Sequence, residues 1–336
     1  MTYLWEYGLF FAKTFTIIIA LIILIVSISV AKRHHNEDNK FKLTSLNTHY
    51  ENMREQLLSY LLDKKAWKTH QKELKKAEKN KDEQNLPRLF ILDFDGDIAA
   101  TAVDTLREQI SAILQVAKTT DKVLIRLESG GGYVHAYGLA ASQLIRLKEK
   151  SIPLTICVDK VAASGGYMMA CVADELIAAP FAIIGSIGVI GAIPNFHDLL
   201  EKNHIHYEQH TAGKHKRSLT VFGENTDEDR AQFQKELNET HFLFKEHITL
   251  MRPNLDIDTI ATGETWYGKQ AINKGLIDKI QTSDDYLLSH CQSHQMLLLE
   301  EDKEENFISR LKSRFLGKIQ NALYLKNNLP FKAKIY

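Results

Sequence analysis

The stretch PLTICVDKVAASGGYMMACVAD at residues 153–174 sets a serine between a predicted strand and a predicted helix. Its first residues, 153–159, form an apolar run with β-branched side chains, which is typical of a buried strand. Ser164 follows and is succeeded by two glycines and an apolar segment. At the start of a helix, the amide of Gly165 would point outward with the helix dipole behind it. Ser164 is therefore a candidate nucleophile, and Gly165 is a candidate donor to an oxyanion.

A second glycine turn precedes this stretch. The predicted strand KVLIRLE (122–128) leads into SGGG (129–132) and then into a helical apolar pattern. Two successive strand-glycine-helix units can bring their loops to the same edge of a sheet. Gly131 is our candidate for the second oxyanion donor, with Gly130 and Gly132 as neighbouring alternatives. The motif ASGGY differs from the G-x-S-x-G elbow of α/β-hydrolases, so that fold is not indicated.

Strands and helices alternate through the central part of the chain. Residues 88–94 (RLFILDF) and 122–128 have strand patterns, and apolar residues recur at helical spacing between 103 and 117. Residues 261–280 add a glycine turn, a helix and a closing strand. This alternation predicts an α/β domain with parallel strands and right-handed crossovers.

The segment LIAAPFAIIGSIGVIGAIP (176–194) has two interpretations. It is uncharged and long enough for a membrane helix. Its two prolines and three glycines fit a buried strand, a turn and a glycine-rich loop equally well. The choice depends on where the base for Ser164 lies, because a membrane crossing here would separate the serine from everything beyond residue 194.

The base for Ser164 is sought in HIHYEQHTAGKHKRSLT (204–220), which offers four histidines and two lysines, Lys214 and Lys216. A histidine with an aspartate would give a triad, whereas a buried neutral lysine would give a dyad without a third member. A lysine normally titrates near about 10.4, so it acts as a base only if desolvation lowers its pKa toward roughly 7–8. The residues alone leave both alternatives open, together with a third in which all six side chains are surface charges.

The N-terminal region has the pattern of a membrane anchor. Residues 14–31 carry no charge, and at the helical rise they cover about 27 Å, close to the thickness of the hydrocarbon core of a bilayer. No basic segment precedes the span and no cleavage site follows it, which predicts a retained transmembrane helix. Four basic residues between 32 and 42 follow the span, whereas Lys13 alone precedes it, so the charge bias favours a cytoplasmic body. Residues 32–86 predict a charged, partly helical stem.

Composition bears on nucleic-acid binding, disulfide bonds and metal sites. Lys and Arg together number 42, as do Asp and Glu, so the net charge gives no indication of a nucleic-acid partner. The three cysteines are widely spaced and show no pattern of a disulfide framework or a zinc site. Cys157 and Cys171 lie in apolar runs and are expected to be buried, inert thiols.

The C-terminal residues 306–336 contain no acidic side chain, and their apolar residues repeat at helical spacing among lysines and arginines. This pattern predicts a basic amphipathic helix. Such a helix suits a surface of anionic lipid, and it suits a docking surface on a partner subunit equally well.

Five motifs in order carry a family resemblance: LESGGG, VAASGGYMMACVAD, IGSIGVIG, GKHKRSLTVFGENT and ATGETWYGKQAINKGLIDKI. Together they strongly resemble the signal peptide peptidase A (SppA/SohB) family of bacterial inner-membrane serine peptidases. The resemblance covers most of the chain, including the N-terminal anchor and stem. It implies the α/β fold that this family shares with Clp protease and crotonase, with repeated ββα units.

The resemblance also implies a Ser/Lys dyad. Ser164 matches the family's nucleophile and Lys216 matches its general base. The family's oxyanion donors fall on the amides of Gly131 and Gly165. Because a second membrane crossing would separate Ser164 from Lys216, residues 176–194 are expected to form buried core instead.

Two positions depart from the family pattern. Gly130 stands where the family usually has proline, and Arg217 stands where it often has aspartate. The first change loosens the glycine turn, and the second bears on how Lys216 is held.

These features predict a membrane-anchored serine endopeptidase of the bacterial inner membrane that cleaves peptides or unfolded and membrane-derived polypeptides. No cofactor or metal is implied, no nucleic acid is expected, and the ring assemblies of family relatives imply a homo-oligomer. The charge bias favours the cytoplasmic side, whereas the family's signal-peptide-digesting members suggest the periplasmic side. The predicted organisation is a tail (1–13), a transmembrane helix (14–31), a stem (32–86), a peptidase domain (87–290) and a basic amphipathic tail (291–336).

Two other functions fit the same fold. A crotonase-like acyl-CoA enzyme would use the paired amides on a thioester, and it would need carboxylates near the glycine turns, where Glu128 stands alone. A non-catalytic membrane scaffold would keep the fold for assembly. An intact pair of Ser164 and Lys216 argues against the scaffold.

Overall fold

The computed structural model describes residues 8–11, 13–16, 41–79, 86–213 and 216–301. The chain divides into two compact units, residues 1–42 with 301–336 and residues 43–300. Most of the predicted span at 14–31 and all of the predicted helix at 306–336 lie outside the described residues. Within the described ranges, no helix combines the length and the apolar character that a membrane crossing needs.

The predicted stem is helical over two stretches. Strand β1 (Phe41–Ser45) leads into helix α1 (Leu46–Leu61), and helix α2 (Lys64–Lys79) follows. The side chain of Asn47 donates to the carbonyl of Cys291 at 2.8 Å and accepts from the amide of Met296 at 2.7 Å. These bonds tie α1 to the following domain. The prediction of a partly helical segment is confirmed for residues 46–79.

A largely parallel sheet forms the centre of residues 43–300. Its strands are β2 (Arg88–Gly96), β3 (Lys122–Ser129), β4 (Leu154–Val158), β5 (Val161–Ala163), β6 (Glu175–Ala178), β7 (Ile183–Gly185), β8 (Thr265–Tyr267), β9 (Lys279–Ile280) and β10 (Gln295–Glu301). The main path runs β10-β2-β3-β4-β6-β9. Both faces of this path are covered, which explains the near-continuous apolar runs in its strands. Leu89 and Ile91 face one buried cluster, and Phe90 and Leu92 face the other.

Helices cover the two faces of the sheet. They are α3 (Val103–Val116), α4 (Val134–Glu149), α5 (Gly165–Ala170), α6 (His197–Lys202), α7 (Asp227–Met251), α8 (Ile257–Ile260), α9 (Gly268–Ala271) and α10 (Ser283–His290), with a 3₁₀ turn at Ile272–Lys274. The larger cluster contains buried side chains of α3, α4, α5 and α7. On the opposite face, Tyr286 and Leu287 of α10 pack with Leu46 and Tyr50 of α1.

A short branch of strands leaves the sheet where β3 ends. β5 pairs in parallel with β3 through Ala162 and Ser129 and then with β7 along its length, and β8 is antiparallel to β7. Because Ala162 lies two residues before Ser164, this pairing brings the turn after β3 beside the turn after β5.

The predicted α/β architecture is confirmed. The predicted strands at 88–94, 122–128 and 153–159 correspond to β2, β3 and β4. Residues 176–194 form β6, β7 and a loop, and the side chains of Leu176, Ile177, Ile184 and Ile187 are fully buried. The expectation of buried core therefore holds for most of residues 176–188, whereas Phe181 and residues 190–194 are exposed. The predicted boundary at residue 290 falls between α10 and β10, and β10 pairs with β2 in the sheet.

Candidate active site

Ser164 occupies a sharp turn between β5 and α5. Its backbone has φ 52° and ψ −119°, a region that residues other than glycine rarely adopt. Such a conformation costs free energy and persists where the surroundings hold it in place. Here the Ser164 amide donates to the Gly185 carbonyl at 2.8 Å, and the Ser164 carbonyl accepts from the Met168 amide at 3.0 Å. The turn therefore has the strand-serine-helix geometry of a nucleophile elbow although its sequence lacks the flanking G-x-S-x-G spacing.

The glycine turn after β3 lies directly against Ser164. Gly131 has φ +90°, and a β-carbon added to it would lie 2.7 Å from the Ser164 Cβ, the Gly165 nitrogen and the Ala163 carbonyl oxygen. A side chain at position 131 is thus excluded by both strain and space. The structure brings together Ser164, Gly131 and Gly165, three of the four site residues named from the sequence.

The two candidate amides have different surroundings. Gly165 is the first residue of α5, where amides have no acceptor within the helix. The Gly131 amide donates to the Ser129 hydroxyl oxygen at 3.1 Å. An oxyanion beside Ser164 would have to compete with that hydroxyl for the Gly131 proton.

Lys216 lies apart from this cluster. It is exposed, in a segment without helix or strand between α6 and α7, and its amide donates to the Gly213 carbonyl at 3.2 Å. Its side chain borders a surface depression of about 370 Å³ with Tyr207 and His210. Among the hydrogen bonds of the described residues, none joins Lys216 to Ser164. Lys214 lies outside the described residues.

The histidines near Lys216 are surface side chains where the structure describes them. His204, His206 and His210 are exposed, and His210 approaches Glu208 at 3.7 Å. Because these three histidines are exposed side chains, their surroundings do not support a catalytic triad that includes one of them. Glu128, the carboxylate that an acyl-CoA enzyme would need, is paired with Lys160 at 2.8 Å.

A small cavity of about 70 Å³ lies beside Ser164. Its walls are apolar side chains and glycine backbone: Gly132, Val134, Gly165, Met168, Gly188, Val189, Ile190 and Phe244. Sequence reasoning gave no role to Phe244, which reaches the cavity from α7. The available signal was the helical spacing of Phe244 and Ile248, the two buried residues of α7.

Helix α7 is also tied to the helix that starts at Ser164. The His247 ring Nε2 lies 2.9 Å from the Met168 carbonyl oxygen, and since a carbonyl only accepts, Nε2 is the donor. Met168 is both a cavity wall and the residue whose amide binds the Ser164 carbonyl. This bond helps to hold α5 in place.

The cysteines have no position suited to catalysis. Cys157 and Cys171 are buried, as predicted, and desolvation raises the pKa of the Cys171 thiol to about 12. A thiol that stays protonated is a poor nucleophile. Across the described ranges, no group of three or more His, Cys, Asp and Glu side chains is placed to hold a metal ion.

Comparisons with known proteins show which family the chain resembles. The model of the peptidase family S49 N-terminal region matches residues 2–144, and that of peptidase family S49 matches residues 146–296. A protein of Buchnera aphidicola subsp. Schlechtendalia chinensis named "Probable protease SohB" is 52% identical over 305 residues, covering 86% of this chain and all of the relative. The Haemophilus influenzae protein of the same name is 46% identical over 321 residues, covering 90% of each chain. "Serine protease SPPA, chloroplastic" of Arabidopsis thaliana is 31% identical over 185 residues, 54% of this chain and 27% of the relative.

Proposed function

The chain belongs to peptidase family S49, and from that membership we propose that it is a membrane-anchored serine endopeptidase that uses Ser164 and Lys216. The observation that carries the proposal is the strained conformation of Ser164 with two glycine turns packed against it. A strained, partly exposed serine beside backbone donors is what acyl transfer requires. The mixed α/β sheet, with the ββα unit of β4, β5 and α5, fits the Clp protease-like fold implied by the family.

In the proposed reaction the Lys216 amine takes the proton of the Ser164 hydroxyl. The alkoxide attacks the carbonyl carbon of the peptide bond, and the oxygen that becomes negative is held by the amides of Gly165 and Gly131. The amine leaving group takes a proton from the lysine, which leaves an acyl ester on Ser164. Water then attacks this ester with the same lysine as base, releasing the second product and the free serine.

The base must be desolvated before it can act, and we place this step in the assembled enzyme. Lys216 is exposed in the single chain. The segment around it, between α6 and α7, carries the large exposed apolar side chains Ile205, Tyr207 and Phe222. Their burial between copies in a homo-oligomeric ring would exclude water from Lys216 and favour its neutral form. Peptides and unfolded polypeptides are the proposed substrates.

The proposed anchor is residues 14–31, in the bacterial inner membrane. Reporter fusions after residue 40 and at the C-terminus determine the side on which the protease faces. Equal signals from both fusions fit a single span. Opposite signals would contradict the proposal, because a second crossing would separate Ser164 from Lys216.

The catalytic assignment is tested by the cleavage of an unfolded protein such as casein. Wild type, Ser164→Ala and Lys216→Ala are compared with Ser186→Ala, which removes the hydroxyl of a second serine with positive φ near the same sheet edge. We expect both dyad variants to lose cleavage and the Ser186 variant to keep it. Undiminished cleavage by Ser164→Ala or Lys216→Ala would overturn the assignment.

A further inference from the structure

Two buried hydroxyl side chains lie under the glycine turns of the candidate site. Ser129 is the last residue of β3 and Tyr137 lies in the first turn of α4, and both are almost fully buried. Their oxygens are 2.5 Å apart. Neither residue has a role in the dyad chemistry. Burial raises the pKa of Tyr137, so its hydroxyl stays protonated and can donate.

Ser129 contacts both glycine turns, and Tyr137 contacts the turn at Gly165. The Ser129 oxygen accepts from the Gly131 amide at 3.1 Å, and the Ser129 carbonyl oxygen would lie 2.5 Å from a β-carbon at Gly166. The Tyr137 ring lies under Gly165, since a β-carbon there would be 2.5 Å from the ring's Cγ. The pair therefore forms a common floor for the two turns that carry the candidate oxyanion donors.

Hydrogen bonds connect Ser129 and Tyr137 to the backbone at the end of β2. The Tyr137 hydroxyl donates to the Asp97 carbonyl at 2.7 Å, which uses its one proton. The Ser129 hydroxyl has the Tyr137 oxygen at 2.5 Å and the Gly96 carbonyl oxygen at 3.1 Å as acceptors for its own proton. A continuous chain results, from the Gly131 amide through Ser129 and Tyr137 to the Asp97 carbonyl. Buried hydrogen bonds linked in this way rigidify the groups that they join.

We propose that Ser129 and Tyr137 are positioning residues that hold the two oxyanion amides at a fixed separation. This inference rests on the proposed serine peptidase function. Oxyanion donors act only when they lie about 2.7–3.1 Å from the oxyanion, and a glycine turn has no side chain of its own to hold it there. The need is greater here because a β-carbon at Gly130 would meet no atom within 4 Å, so no close packing fixes that side of the turn. The Ser129 bond supplies the restraint that this backbone lacks.

The test is Tyr137→Phe, which removes one oxygen and keeps the ring under Gly165. The protein offers a matched control in Tyr286, whose hydroxyl lies 3.1 Å from Thr155 in a buried pair on another part of the same sheet. Steady-state kinetics on a peptide substrate, with thermal unfolding of each variant, are compared. We expect Tyr137→Phe to lower kcat about tenfold with KM within about twofold, since displaced donors weaken transition-state binding selectively. Tyr286→Phe should lower the melting temperature comparably and leave kcat unchanged.

Ser129→Ala provides a second route if Tyr137→Phe folds poorly, because it deletes the acceptor of the Gly131 amide directly. It should show the same selective loss of kcat, whereas a higher kcat would show that the hydroxyl only competes with the oxyanion for the Gly131 proton and would overturn the inference. A wild-type kcat in folded Tyr137→Phe, or equal kcat losses in Tyr137→Phe and Tyr286→Phe, would overturn the inference. The premise is checked separately with Ser164→Ala: if that variant cleaves like wild type, the proposed function fails, whatever Tyr137→Phe does.

Discussion

The Ser164 turn and the segment that carries Lys216 are built in opposite ways. All six residues of α5, directly after Ser164, are buried, and Gly131, Gly165 and Gly185 leave room for tight backbone contacts around the serine. Lys216 and Arg217 are exposed in a stretch without regular secondary structure, which the bond from Ser218 to Glu236 at 3.0 Å anchors to α7. Half of the proposed dyad is thus held by the core of the single chain, and the other half lies at its surface.

Substitutions at the two sites should therefore differ in how they affect stability and activity. The strained backbone of Ser164 persists only because the packing around it offsets its free-energy cost. Substitutions near Ser164 should therefore change stability and activity together. An exposed lysine contributes little to folding, so substitutions at Lys216 should change activity alone. The following variants test this contrast.

The largest effect is expected from Lys216→Arg. Arginine keeps the charge and length but cannot be deprotonated in a protein, so it cannot take the Ser164 proton. We expect kcat/KM to fall by about a thousandfold, within the range for loss of a general base. The free energy of unfolding should change by less than about 0.5 kcal/mol, because the side chain is exposed. Lys235→Ala, at an exposed ion pair on α7, is the control. A clear loss of stability in Lys216→Arg would contradict the contrast.

Next in size is Gly131→Ala, compared with Gly130→Ala. The added methyl group at position 131 would collide with the Ser164 turn, and φ +90° is strained for alanine. A methyl group at position 130 would meet no atom within 4 Å. We expect kcat/KM to fall about a hundredfold in Gly131→Ala, as for a lost oxyanion donor. Gly130→Ala should stay within about twofold of wild type. Equal activities of the two variants would show that the turn does not support the chemistry.

A smaller effect, on stability, is expected from Phe244→Ala compared with Phe242→Ala. Phe244 is 3% exposed and lines the cavity beside Ser164, while Phe242 is 59% exposed on the same helix. Urea unfolding should show a loss of about 3 kcal/mol for Phe244→Ala and less than about 0.5 kcal/mol for Phe242→Ala. A loss of less than about 0.5 kcal/mol in Phe244→Ala would mean that the packing beside Ser164 adds little to the stability of the fold.

The smallest effect concerns acid stability. Asp121 is buried, which by itself would raise its pKa, but bonds from Arg88 and the Lys118 amide lower the pKa overall. A lowered pKa stabilises the fold above the unfolded value of about 3.9, and this stabilisation is lost as pH falls through the folded value. Asp121→Asn should therefore lose stability at neutral pH and show a flatter acid dependence in urea titrations. Glu208→Gln, at an exposed contact near Lys216, should match wild type at every pH.

Much of the fold could be predicted because its signals are local. The apolar run from Leu154 to Val158 and the helical spacing from Val103 to Ile113 each reflect burial of one element, and period and length identify the element type. Ser164 was found in the same way, as a small polar residue with glycines between a strand and a helix. Phe244, Ser129 and Tyr137 were missed as parts of the site because their roles depend on contacts between segments distant in the chain.

The sequence by itself determined the α/β order of elements and the identity of Ser164, Gly131 and Gly165 as candidates. The tertiary structure decided which of these meet: the pairing of Ser129 with Ala162 places both glycine turns at the serine, and two buried hydroxyls bridge beneath them. It also left Lys216 exposed. The physical reason is that the burial of one element is reflected in its local sequence pattern, whereas distances between side chains of different elements depend on strand order and register.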